Sequence, residues 1–81
     1  MKRRYYVAQY GYSYPNPEPL TLAEARKELG AALKREREAC KRVYHNSTAT
    51  IHRPTKDCGS VTLAPDKRSS LWAAFSIQAI S

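Results

Sequence analysis

The sequence predicts an α+β fold, a two-layer sandwich in which one long helix packs on a mostly antiparallel four-stranded sheet, in the order strand, helix, strand, strand, strand. Three observations lead there. Residues 21–44 carry a helical apolar period, the segments on either side of them read with the period of two typical of half-buried strands, and one helix can cover only one sheet face. The opposite face is then left to solvent or to a partner. A chain of 81 residues makes one domain, residues 1–81, with one small core.

The first strand is YYVAQY, residues 5–10, rich in tyrosine and valine. Gly11 opens GYSYPNPEP, in which Pro15, Pro17 and Pro19 exclude both helix and paired strand, so the chain runs on as an extended connection. Thr21 and Glu24 have the spacing of a capping box, in which each side chain satisfies the other residue's free backbone donor. The helix starts there and runs to about Tyr44, with Gly30 as its one weak interior residue. His45, Asn46 and Ser47 end it.

Beyond the helix, STATIHR (47–53) alternates as a half-buried strand with Ala49 and Ile51 on one face. PTKDCG is a turn-rich connector, SVTLA (60–64) a short strand, and PDKRSS another turn. LWAAFSIQAI, which closes the chain, places Leu71, Ala73, Phe75, Ile77 and Ala79 on one face and Trp72, Ser76 and Gln78 on the other. That uninterrupted row is the strongest core signal in the sequence.

Composition narrows the function classes. With 42% hydrophobic and 26% charged residues the chain is neither disordered nor membranous, and no apolar run approaches the roughly 20 residues of a membrane span. The N-terminus turns to tyrosine and glutamine before a signal-type apolar region develops, so a soluble, intracellular protein is expected. Cys40 and Cys58 are too few for a disulfide framework and are expected as free thiols. Together with His45 and His52 they match no zinc spacing, and no carboxylate or oxyanion motif accompanies a Cys/His pair, so neither a metal, a cofactor nor an enzymatic reaction is expected. Asn46-Ser47-Thr48 is a glycosylation sequon by letter only.

The charge balance points to binding. Fourteen Lys and Arg against seven Asp and Glu give +7, a field that favours polyanions or acidic protein faces. On a helical wheel Leu22, Ala25, Leu29, Leu33, Cys40 and Val43 share the sector facing the sheet, with Ala32 at its edge and Glu36 inside it. Arg26, Lys27, Lys34, Arg37 and Lys41 gather on one flank within about 100° of each other, while Glu24, Glu28 and Glu38 mix with Arg35 and Arg42 on the other. Like charges on neighbouring turns repel unless an anion neutralises them, whereas a mixed flank is ordinary helix support. Near the N-terminus, Arg3 and Arg4 stand beside Tyr6 and Tyr10, an interleaving that suits base stacking or a protein interface. Trp72, by parity on the uncovered sheet face, completes the candidate partner-binding set of Arg3, Arg4, Tyr6, Tyr10, Arg26, Lys27, Lys34, Arg37, Lys41 and Trp72. The loop cations Arg53, Lys56, Lys67 and Arg68 extend the positive surface.

The N-terminal MK followed by YYV, the helix opening TLAEARK, the threonine-rich STATIHR and the closing LAPDKRSSLW together resemble small basic anti-CRISPR proteins of phages that act on type I surveillance complexes. The resemblance implies a non-enzymatic inhibitor in the host cytoplasm that docks on backbone subunits of such a complex and blocks or misdirects target DNA. Its cations near the N-terminus and on the helix flank would make the contacts. From a different class, a small basic regulator binding DNA or RNA directly also accommodates the charge, through salt-sensitive, largely sequence-blind contacts. With a single helix no helix-turn-helix is available to it.

Overall fold

The structure, a computed structural model, describes residues 4–45, 48–64 and 70–80. Five elements follow in the expected order: β1 (Tyr5–Gln9), α1 (Leu22–Val43), β2 (Thr48–Thr55), β3 (Cys58–Ala64) and β4 (Ser70–Ala79). The four strands form one antiparallel sheet in the order β1-β4-β3-β2, and α1 lies across one of its faces. The fold class read from the sequence is the one observed.

The helix begins where the capping box places it. Thr21 N–H donates to Glu24 Oε1 at 2.9 Å, and Glu24 N–H donates to Thr21 Oγ1 at 3.1 Å. Ala25, Leu29, Ala32, Leu33 and Cys40 are buried, and the last four form one core cluster with Ala49, Val61, Ala73 and Phe75 from three strands. The tightest approach is at β3, where a Cβ on Gly59 would lie 2.6 Å from Leu33 Cδ1. Gly59 is thus the hollow into which a central helix side chain seats.

The two edges of the sheet are finished differently. Beyond β1 the chain turns at Gly11, whose φ of +89° is a left-handed conformation suited to glycine. The proline-rich connector then returns along the outer edge of β1, where Tyr5 and Leu20 exchange backbone hydrogen bonds of 3.0 and 2.8 Å and Tyr14 Oη accepts from Gln9 N–H at 2.9 Å. A connector too rich in proline to form a strand still pairs that edge at Tyr5 and Gln9. On the far side β2 remains an open edge, and its pairing with β3 is irregular between His52 and Thr55, a stretch that holds Arg53 and Pro54. Proline and charge at a bulged edge oppose further strand pairing.

Several sequence expectations are corrected. The connector PTKDCG shrinks to a tight turn at Lys56 and Asp57, because Pro54 and Thr55 continue β2 through its irregularity and Cys58 and Gly59 already belong to β3. Leu71, expected in the core row, is 54% exposed, because the register of β4 against β3 shifts. Val61 pairs with Ala73 but Thr62 pairs with Leu71, so Trp72 is the extra residue and strict alternation ends there. Val43 is 58% exposed although Ala25, about five turns earlier at the same azimuth, is fully buried. The cause is the shortness of β1, which pairs only with Phe75–Ala79 and leaves no strand beneath that flank at the helix C-terminus. Ala79, at the far end of the row, is exposed as well, and Leu22 is half-buried.

Replacing Gly59 by alanine pushes a methyl into Leu33, and such overpacking costs about 1–3 kcal/mol. Urea unfolding followed by circular dichroism is expected to show that loss for Gly59→Ala.

Candidate partner-binding surface

The helix flank predicted to be basic overhangs the β2 side of the sheet. Its first member, Arg26, is taken up by the fold, since its Nε donates to Asp57 Oδ1 at 2.9 Å and ties α1 to the β2–β3 turn. Arg53 strengthens that tie. Its guanidinium donates to the carbonyls of Arg26 and Lys56 at 3.0 and 3.1 Å, and its Nη1 would sit 3.1 Å from a Cβ on Gly30. The weak interior glycine of the helix thus makes room for an arginine that latches helix to hairpin.

Lys34, Arg37 and Lys41 occupy successive turns farther along the same flank. Arg37 Nε lies 3.7 Å and Lys41 Nζ 3.9 Å from the same oxygen, Glu38 Oε1, and no ion pair engages Lys34 among the described residues. Both contacts are long and between side chains at least a third exposed, a class worth at most about 1 kcal/mol. Arg37 Nε is shielded from water and makes no hydrogen bond among the described residues. An unsatisfied guanidinium donor is a cost that an anion arriving at this flank can relieve by drawing the group into a charge-assisted bond.

The other predicted residues are dispersed. Arg3, like Lys67 and Arg68, lies outside the described residues; Arg4 is exposed ahead of β1, its carbonyl accepting from Ile80 N–H. Tyr6 is half-buried, with its ring centroid 5.5 Å from that of Tyr14. Lys27 is exposed on the outer ridge of the helix and borders the groove toward β1, away from Arg26. Tyr10 is 80% exposed at the end of β1, where its N–H donates to Ala74. Trp72 is not on the uncovered face. The register shift turns it to the helix side, where it packs on the core and meets Tyr44 edge-on, with centroids 6.0 Å apart and planes at 87°.

That aromatic pair brings out a feature the sequence did not show. Val43 and Tyr44 are exposed at the C-terminal end of the helix beside Lys41 and Arg42, with the Tyr44 ring against Trp72. Aromatic and apolar surface next to cations, in the same half of the molecule as Lys34 and Arg37, forms a mixed patch of the kind found at interfaces. Parity could not find it, because only the register shift in β4 places Trp72 there. Glu36, in the core sector by the wheel, is half-buried at its edge.

The uncovered sheet face presents mostly small and polar residues, Thr50, Ser60, Thr62, Ala74 and Ser76, with the exposed Leu71 beside Thr62, and His52 Nε2 and Thr62 Oγ1 are hydrogen-bonded at 3.0 Å. No strand carries Asp or Glu, and all described carboxylates lie on the helix, the connector or the β2–β3 turn. Cys40 is buried on the sheet-facing side of α1 and Cys58 is half-buried, both as free thiols. Among the described residues no three His, Cys, Asp or Glu side chains gather as a metal site, and no helix is long and apolar enough to cross a membrane. No protein-family model, no curated protein and no solved structure matches the chain.

The latch predicts a coupled pair of substitutions. Gly30→Ala in an Arg53→Ala background should gain up to about 1 kcal/mol from helix propensity, whereas with Arg53 present the new methyl crowds the guanidinium and the gain shrinks or reverses. A double-mutant cycle measured by urea unfolding reads the difference.

Proposed function

We propose that the chain is a non-enzymatic binding protein that uses the cationic flank of its helix, with the neighbouring aromatic end, to occupy an acidic or nucleic-acid-bearing surface of a host nucleoprotein complex. One observation carries it. Lys34, Arg37 and Lys41 stand on consecutive turns with a single carboxylate, Glu38, paired among them at long range. A flank that only solvated the helix has no need of this arrangement, and like-charge neighbours cost a few tenths of a kcal/mol per pair until an anion sits between them. The partner class follows the sequence resemblance, a type I CRISPR surveillance complex, with the protein acting as a phage-encoded inhibitor inside the infected cell.

Within this proposal the cations hold a site meant for target DNA, or draw DNA into a non-productive position, and the aromatic end supplies contacts that a purely electrostatic grip lacks. Tyr44 and Trp72 offer buried area and ring contacts that are insensitive to salt. Arg26 and Arg53 stabilise the scaffold and are not part of the contact set. Arg4, Tyr6 and Lys27 lie away from the Lys34–Lys41 flank and are assigned no contact here.

The test is affinity capture from host lysate with and without nuclease, using the native chain and the triple variant Lys34→Glu, Arg37→Glu, Lys41→Glu. The expected result is one defined nucleoprotein complex that survives nuclease and is lost with the triple variant, whose circular dichroism stays that of the native chain. Loss of all captured material after nuclease would instead make the protein a direct nucleic-acid binder, and equal capture by the variant would remove the helix flank from the account.

A further inference from the structure

A concavity lies on the opposite flank of the helix from Lys34, Arg37 and Lys41. It is a groove of about 740 Å³, walled by α1 on one side and by the returning connector on the other. Val7, Ala32 and Phe75 form its apolar floor, and Tyr6 and Tyr14 line it from the sheet edge with their rings in contact. Its volume falls within the range of ordinary ligand sites, roughly 300–1,000 Å³.

Its charge runs against that of the molecule. Glu18, Glu24 and Glu28 border it, against Lys27 and Arg35, so the groove is locally acidic on a chain of net charge +7. Glu24 is engaged in the capping box. Glu18 comes from the connector, and Glu28 has only a loose contact with Arg35, at 3.9 Å between side chains that are each more than half exposed. An incoming cation can replace Arg35 there at little cost. Along the helix the groove extends from Glu24 to Arg35, about 16 Å at 1.5 Å per residue, which is the span of about five residues of extended chain.

We propose that this groove binds a short extended peptide segment carrying arginine beside apolar residues. Its apolar side chains would rest on Val7, Ala32 and Phe75, and its guanidinium would meet Glu18 or Glu28 alongside the tyrosine rings, where carboxylate pairing and cation–π attraction act together. The chain then carries two recognition surfaces of opposite sign on the two flanks of one helix. The inference does not depend on the cationic flank, so either site can fail without the other.

The test is an NMR titration of the 15N-labelled chain with the pentapeptide acetyl-Leu-Arg-Leu-Arg-Leu-amide, with acetyl-Leu-Glu-Leu-Glu-Leu-amide as the control. Saturable shifts at Val7, Gln9, Tyr14, Ala32 and Phe75 with the arginine peptide alone are expected. The double variant Glu18→Gln, Glu28→Gln, both exposed positions outside the capping box, should weaken that binding at least ten-fold with an unchanged circular dichroism spectrum. The proposal is overturned by absent shifts at millimolar peptide, by shifts confined to other residues, by equal binding of the control or by unchanged affinity of the variant. Groove signals that move on dilution without peptide would assign the groove to a second copy of the chain and overturn it as well.

Discussion

Everything in this molecule is arranged around one constraint, that a single helix must hold a four-stranded sheet from one side. The closest contact is Leu33 seated over Gly59, where a Cβ would lie 2.6 Å from Leu33 Cδ1 and force that buried side chain to shift. From this seat the helix reaches Cys40 over the core in one direction and Ala25 in the other, and the Arg26–Asp57 and Arg53 bonds clamp its first turns to the hairpin. The interior of so small a domain is thin. Polar clamps at the rim therefore complement a core whose fully buried large side chains are few.

The same constraint divides the surface. Because the sheet-facing side of the helix is committed to the core, its charges are pushed to two flanks, and the unequal lengths of the strands make those flanks different. Over the β2 edge the helix projects cations above an open, bulged strand that carries no carboxylate. Over β1 the returning connector raises a second wall, and the space between the walls becomes a groove bordered by glutamates. The shortness of β1 also bares Val43, at the end where Tyr44 meets Trp72. Two surfaces of opposite character and an aromatic end thus follow from one helix and one short strand.

Much of this was legible in the residues. The Thr21–Glu24 spacing located the start of the helix, the wheel placed Ala25, Leu29, Leu33 and Cys40 inward, and the alternation in the last strand identified Ala73 and Phe75 as core. What escaped was set by tertiary context. A residue inserted into a strand leaves no mark on local periodicity, so Trp72 and Leu71 were assigned to exchanged environments. The burial of Val43 depended on how far β1 extends, which is decided by a turn at Gly11 and not by the helix's own pattern. The cationic flank was visible, yet Asp57, thirty-one positions from Arg26, could not be seen to neutralise its first member. The groove was invisible for a like reason, since one of its walls is a proline-rich connector that sequence alone describes only as extended.

The central claim is that the helix flank from Lys34 to Lys41, with the adjoining aromatic end, is where the partner sits. Hydrogen–deuterium exchange of the chain, free and bound to the complex it captures, addresses this most directly. The account predicts added protection in peptides spanning residues 34–45 and 70–73, with those spanning the capping box and the Asp57 turn unchanged. Protection confined to residues 5–20, with the second half of the helix exchanging as in the free chain, would contradict it.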